Sequence, residues 1–164
     1  MSFSGLTERE AAKIQGESMG KIIKIILLIF AAAVILLIAS VPFVNDHVAR
    51  RTAKELSEIP LPEQTEHIEK ISRAAKLVGN GNGIQYLGAV LIKSELSLEE
   101  LEEYYSGYHV TVRHQTGKRI EGMDPGKIGF SSEISGDNFY VIYKWGNNDY
   151  PLHGFYEDLD LRGH

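Results

Sequence analysis

The chain has 164 residues, a formal net charge of −5 at pH 7 and no cysteine. This length allows one modest domain plus a further segment, and the lack of cysteine excludes disulfides, thiolate catalysis and zinc–thiolate sites. Residues 45–164 carry 13 Lys and Arg against 19 Asp and Glu. This acidic balance argues against nucleic acid or anionic lipid headgroups as partners, because both need a basic face.

Residues 1–24 form a polar tail, predicted to be cytosolic. The stretch IILLIFAAAVILLIASVPFV, residues 25–44, holds 20 residues without a charge, and a helix of that length is about 30 Å long, which matches the hydrocarbon core of a bilayer. We predict a transmembrane helix, with the lipid bilayer as its partner. The run is longer than a signal-peptide core and lacks a small-x-small cleavage site, so an uncleaved signal-anchor is the better interpretation.

Charges beside the span favour one orientation. Lys21 and Lys24 lie at its amino-terminal edge, whereas Asp46 comes first on the other side, before Arg50, Arg51 and Lys54. The nearest Lys and Arg residues place the amino terminus in the cytosol. The expected localisation is therefore the cell membrane, with one span and an extracytoplasmic carboxy-terminal domain.

Residues 45–58 are predicted to be a charged helical connector. The sequence IPLPE then stops any helix, because two prolines cannot lie in one helix interior, and the soluble domain is predicted to comprise residues 59–164. Residues 65–78 stay open between helix and strand. Their apolar side chains and i,i+4 charge pairs have helical spacing, yet the segment ends in Asn-Gly before a strand-like run.

That run, residues 84–93, is apolar on both alternating faces, which predicts a strand buried on both sides. The helix that follows has the clearest local pattern. Ser97 and Glu100 form a capping box, with Leu96 and Leu101 at the positions of a hydrophobic staple. Gly107 is its predicted stop, and the side chains expected on its buried face are Leu98, Leu101, Tyr105 and Tyr108.

After this helix the period changes from 3.6 to 2. Strands are predicted in YHVTVRHQ, in KIGFSSEI and, most strongly, in the aromatic and β-branched FYVIYKW at residues 139–145; SGDN offers a hairpin turn. FYEDLDLRG is predicted to close the sheet as an acidic edge strand. The fold class is therefore α+β: one amino-terminal transmembrane helix followed by a small, mainly antiparallel sheet packed with one or two helices.

The glycine-rich stretch GNGNG does not fit a phosphate site. Gly79, Gly81 and Gly83 fall at i, i+2 and i+4, whereas a dinucleotide loop needs G-x-G-x-x-G and a P-loop needs Gly-Lys-Ser/Thr. A helix amino terminus should also follow directly, but here a strand does. Asn-Gly supplies the positive φ angles of a type I′ turn, so we predict a hairpin.

The histidines and glutamates of the chain do not predict a catalytic or metal site. His109 and His114 are five residues apart, so a regular strand points them to opposite faces. The glutamates between residues 99 and 103 favour the helix dipole and solvate an exposed face. No catalytic, cofactor-binding or metal-ligating residue and no cofactor is predicted. The aromatic residues are expected to divide between the core and an exposed binding patch: Tyr104, Tyr105, Tyr108, Tyr140, Tyr143, Trp145 and Tyr150.

The order LPLP, GNGNGIQYLGAVLIKSELSLEEL and YY behind one hydrophobic span resembles uncharacterised single-pass membrane proteins of Gram-positive bacteria. The resemblance covers about residues 59–145. It implies a membrane location, a domain boundary near Ile59, and a strand rather than a helix at residues 65–78. It carries over no catalytic residue and no activity.

The function expected from the sequence is a membrane-anchored protein whose exported, non-catalytic domain has a binding, sensory or envelope-accessory role, with an unknown envelope ligand or protein as partner. The alternative is a membrane-tethered envelope hydrolase, because distant Asp, Glu, His, Ser and Tyr residues could assemble in a pocket. A third hypothesis keeps the domain in the cytosol as a tethered regulator.

Overall fold

The structure, a computed structural model, describes residues 8–79, 83–124, 126–147 and 149–163, and residues 8–14 through their backbone alone. Two compact units divide the chain, Met1–Ser40 and Val41–His164, and the second is called the domain below. The helices are α1 (Glu8–Ser57), α2 (Leu98–Tyr105) and α3 (His153–Asp158), and the strands are β1 (Thr65–Ala75), β2 (Gln85–Ser94), β3 (Thr111–His114) and β4 (Phe139–Trp145).

The part of α1 in the first unit is apolar and uncovered. Its most apolar 18-residue window has a mean hydropathy of 3.2, and none of that window is buried. Leu28 and Leu36 are each 70% exposed, which is unfavourable in water. By length and composition this helix is a candidate membrane span.

Helix α1 does not end with the apolar run. It continues through Pro42 to Ser57, and Val41 is already buried in the domain. The segment predicted as a connector, residues 45–58, is helical to Ser57, and one of its faces is buried: Asn45, Ala49, Thr52, Ala53 and Leu56. This part of α1 belongs to the core of the domain, so a fragment starting at Ile59 would lack that face.

Helix α1 crosses the sheet where β2 has no side chain. A Cβ atom at Gly88 would lie 2.5 Å from the backbone nitrogen of Ala53 and 2.6 Å from its Cα. Such distances are too short for any side chain, so glycine in β2 and alanine in α1 allow the two backbones to touch.

The four strands form one antiparallel sheet in the order β1-β2-β4-β3. The prediction for β2 is confirmed. Val90 and Ile92 face α1 and α2, whereas Leu87, Ala89 and Leu91 lie in a second cluster on the opposite face. The long connection between β3 and β4 covers that second face, through Ile120, Met123, Ile128 and Phe130.

The carboxylate of Glu69 on β1 binds the connection between β3 and β4. Glu69 accepts hydrogen bonds from the Ser131 nitrogen (3.0 Å), the Ser131 hydroxyl (2.8 Å) and the Ser132 nitrogen (2.8 Å). Partial burial opposes ionisation, but these donors outweigh it and lower the pKa of Glu69 to about 2.

The open choice at residues 65–78 is settled, because β1 is a strand that pairs antiparallel with β2. Gly79 and Gly83, on either side of residues 80–82, have positive φ angles of 76° and 129°. Residues 80–82, where the type I′ turn was predicted, lie outside the described residues.

Two predicted strands are wrong. Residues 127–134 form no strand, because Ile128 and Phe130 fill the second face of the sheet and the Phe130 nitrogen donates to the Lys118 carbonyl (2.8 Å). The predicted edge strand FYEDLDLRG instead forms α3 and a 3₁₀ turn. In this segment Phe155, Leu159 and Leu161 are exposed and Asp160 is buried.

The capping box of α2 is confirmed. The Ser97 hydroxyl accepts from the Glu100 nitrogen (3.3 Å), and the Ser97 nitrogen donates to the Glu100 carboxylate (2.8 Å). Helix α2 ends at Tyr105, two residues before the predicted stop at Gly107, and the left-handed residue is His109 with φ of 53°, not Gly107. The helix turns into a 3₁₀ turn after Tyr105, and this leaves Tyr108 exposed rather than on the buried face.

Candidate functional site

A polar cluster joins the start of the domain to its last residues. It is formed by α1, β2 and the segment after β4 and comprises Asn45, Asp46, Tyr86, Tyr150, Asp160 and Arg162. Asn45 is fully buried at its centre. Its amide nitrogen donates to the Asp160 carboxylate (2.7 Å) and to the Tyr156 carbonyl (2.9 Å). Its oxygen accepts from the hydroxyls of Tyr86 (2.8 Å) and Tyr150 (3.1 Å). Asn45 therefore uses both ends of its amide.

Arg162 closes the cluster on the other side. Its guanidinium binds Asp160 twice (2.7 and 2.9 Å), Asp46 (2.7 Å) and the Pro42 carbonyl (3.2 Å). Burial opposes the charge of Asp160, but the bonds from Arg162 and Asn45 outweigh it and lower its pKa. Hydrogen bonds with Asp160 likewise raise the pKa of Arg162. The buried charges are therefore paired, as a stable interior requires.

The tyrosines of the cluster stay protonated. Burial is the main reason that the pKa of Tyr86 and of Tyr150 is raised; the contact between their hydroxyls (2.9 Å) raises the pKa of Tyr86 further and opposes the rise at Tyr150. Glu157 lies beside them. One of its carboxylate oxygens is buried without a hydrogen-bond partner in the described part of the chain, and burial raises its pKa.

A cleft of about 450 Å³ opens next to the cluster, between α1 and the segment after β4. Glu55 on α1 accepts from Arg51 (3.0 Å) and from Lys144 across the cleft (3.4 Å). Partial burial opposes its ionisation, but these two cations prevail and its pKa is lowered. The cleft thus presents charges of both signs, and its lining residues are Val44, His47, Val48, Arg51, Thr52, Glu55, Lys144, Asn147, Asp149 and Tyr150.

The predicted histidines are not brought together. His109 occupies the turn after α2, and the His114 ring bonds the Asp137 carbonyl. Within the described ranges, no group of three His, Cys, Asp or Glu side chains could hold a metal ion. Glu99 and Glu100 lie in the first turn of α2, where the dipole argument placed them.

The aromatic residues divide between core and surface. Tyr105, Tyr140 and Tyr143 are buried, whereas Tyr104 and Trp145 are 37% and 39% exposed. Tyr104 donates to the Pro60 carbonyl (3.1 Å). Tyr108 is exposed near Tyr104, with ring centroids 6.5 Å apart, and Tyr150 belongs to the polar cluster.

The sequence reasoning missed Asn45, Asp160 and Arg162. Asn45 and Asp160 are 115 residues apart, and short-range spacing cannot pair them. The available signal was the position of Asn45, a polar residue directly after an apolar run and one helical turn before the small residue Ala49.

No family model, no curated protein and no solved structure matches this chain. The functional interpretation therefore depends on the domain's own geometry and on the composition of α1.

Proposed function

We propose that this chain is a single-pass membrane protein whose domain lies outside the cytosol and acts there as a non-catalytic binding or accessory module. The observation that supports this most is helix α1. The same helix carries a bare apolar run long enough to span a bilayer and, beyond Ser40, the buried face of the domain. Because the domain is built on residues that follow the span directly, its place of action is beside the lipid.

The charges beside the span support the orientation. Lys24 directly precedes the apolar run and Lys21 lies three residues before Lys24, whereas the first cation on the other side, Arg50, lies six residues beyond Val44. Only Lys and Arg count in the positive-inside rule, and the nearest two favour a cytosolic tail.

The state of the ionisable groups supports a non-catalytic role. Asp160 is neutralised by Arg162, and the cluster tyrosines have raised pKa values, which makes them poor general bases at neutral pH. The mixed charges of the cleft fit a polar ligand that carries both signs, and we propose the cleft as the binding site for an envelope component.

Topology can be tested with single cysteines, since the chain has none. A Cβ at Gly107 or at Gly16 would meet nothing within 4 Å, so Gly107→Cys and Gly16→Cys are mild changes. In intact cells a membrane-impermeant maleimide should label Gly107→Cys, and should label Gly16→Cys only after permeabilisation. The reverse pattern would place the domain in the cytosol, and labelling of both in intact cells would refute the single span.

Binding can be tested with the full chain in detergent, immobilised and exposed to cell-wall fragments and membrane extracts. We expect a specific fraction to be retained, and the variant Lys144→Met to retain less of it than Lys93→Met, a matched change outside the cleft. Equal retention by both variants would refute the cleft as the site. Turnover of a retained fragment would refute the non-catalytic role and favour the hydrolase.

A further inference from the structure

The segment after β4 presents its apolar side chains outward. Leu152, Phe155, Leu159 and Leu161, here called the apolar rim, are 66%, 37%, 38% and 86% exposed. On α3 and its ends the first three follow the spacing i, i+3, i+7, which places them on one side of a helix. Four large apolar groups within ten residues form an exposed patch that calls for a covering partner.

Two acidic side chains of the same segment point inward, whereas His153 and Asp158 are exposed. Asp160 is 3% exposed, and one oxygen of the Glu157 carboxylate is buried. A surface helix in water shows the opposite arrangement, with its apolar stripe facing the core. Four exposed apolar side chains beside a buried Asp160 favour a medium less polar than water outside the apolar rim.

The apolar rim is attached to the residues that follow the span. Arg162 binds the Pro42 carbonyl and Asp46, and the Tyr156 carbonyl accepts from Asn45. Pro42 is only two residues beyond Ser40, the last residue of the first unit. Phe43, the next residue along α1, is itself 71% exposed. Contacts within the domain therefore connect the apolar rim to residues 42–46 of α1.

We propose that the apolar rim lies in the lipid interface and buries its side chains among the upper acyl chains. Interfacial segments reach about 5–10 Å into this layer, and Tyr150 and Tyr156 beside the rim are of the type enriched at membrane interfaces. Asp160 and Arg162 keep their charges paired on the inner side, and the exposed Asp158 beside Leu159 would remain at the level of the lipid headgroups. This inference rests on the proposed membrane anchoring.

The test uses the full chain in phosphatidylcholine–phosphatidylglycerol vesicles, with a single environment-sensitive nitrobenzoxadiazole (NBD) label. Leu161→Cys reports on the rim, Leu28→Cys on the span and Gly107→Cys on an exposed turn. Vesicles with and without a lipid that carries a doxyl quencher near the top of its acyl chain are compared. Emission from Trp145, the single tryptophan, checks that each labelled variant keeps its fold.

The proposal predicts loss of NBD emission at Leu161→Cys in the quencher vesicles, comparable with the loss at Leu28→Cys, and no loss at Gly107→Cys. If only Leu28→Cys is quenched and the label at 161 emits as in water, the rim does not touch lipid, although the anchoring stands. A blue-shifted but unquenched label at 161 would mean that protein, from a partner or a second copy, covers the rim, and would also overturn the proposal. If Leu28→Cys itself escapes quenching, the proposed membrane anchoring fails.

Discussion

The bond between Glu69 and the β3–β4 connection gives a pH-dependent stability that can be measured. We expect Glu69→Gln to destabilise the domain at neutral pH, because a neutral amide accepts more weakly than a carboxylate and brings its own N–H groups towards the donors of Ser131 and Ser132. The connection would then hold the second face of the sheet less firmly.

The magnitude follows from the pKa of Glu69, which falls from 4.5 to about 2 in the folded chain. At about 1.4 kcal/mol for each tenfold change in proton affinity, the carboxylate form would contribute about 3 kcal/mol to the free energy of unfolding. Glu69 is partly exposed, and solvent screening reduces this to about 1–2 kcal/mol. Because the folded pKa lies below the unfolded one, the contribution is complete above pH 4.5 and is lost as the pH falls towards 2.

Urea unfolding of the full chain in detergent micelles, followed by the emission of Trp145, would measure this. The difference between wild type and Glu69→Gln should be about 1–2 kcal/mol near neutral pH and less than half of that near pH 3. Glu66→Gln is the matched control on the same strand, since Glu66 is exposed and, among the described residues, makes no hydrogen bond with its side chain. Equal losses at both pH values, or an equal effect of the control, would contradict the proposed role of the Glu69 carboxylate.

Three further changes test the packing of the domain in the same unfolding assay. Gly88→Ala should lower the free energy of unfolding by about 1–3 kcal/mol, because the new methyl group meets the backbone of α1. An unchanged urea midpoint would refute the close approach. Tyr86→Phe should lower the free energy of unfolding by about 1–2 kcal/mol, because it removes the hydrogen bond to Asn45. Tyr105→Phe removes a buried hydroxyl without a partner in the described chain and should be neutral or stabilising. The reverse order would contradict the assigned partners. Ser97→Ala should cost about 1 kcal/mol by removing the cap of α2, and a neutral effect would show that the capping box adds nothing to stability.

Local sequence patterns correctly predicted the elements whose structure depends on residues nearby in the chain. The capping box at Ser97, the two-faced burial of β2 and the strand character of β4 each follow from neighbours within a few residues, and each is confirmed. The antiparallel pairing of β1 with β2, adjacent in the chain, is also observed, although the turn predicted to cause it lies outside the described residues. In these elements propensity, hydrophobic pattern and tertiary packing agree.

The predictions failed where tertiary contacts, and not the local sequence, determine the structure. Residues 127–134 alternate as a strand would, yet they fill the sheet's second face as an irregular cover, held by a carboxylate 62 residues away. The segment 155–163 alternates like an acidic edge strand, but it forms a helix and a 3₁₀ turn whose Asp160 is buried in the polar cluster. In the same way, the sequence predicts Asn45 as the first residue of a connector, whereas its buried position in the polar cluster depends on Asp160 and Arg162. No window of a dozen residues contains both halves of such contacts.

The polar cluster has a consequence for how the chain is made. Asn45 meets two of its partners, the Tyr156 carbonyl and Asp160, only once residues 156–160 exist, and the Gly163 carbonyl accepts from the Gly83 nitrogen just before β2 (2.9 Å). A ribosome that has synthesised the sheet alone has therefore not yet supplied the residues that close it. Until residues 156–163 have been synthesised, the second half of α1 stays without its full set of partners, so the polar cluster is the last part of this domain to form.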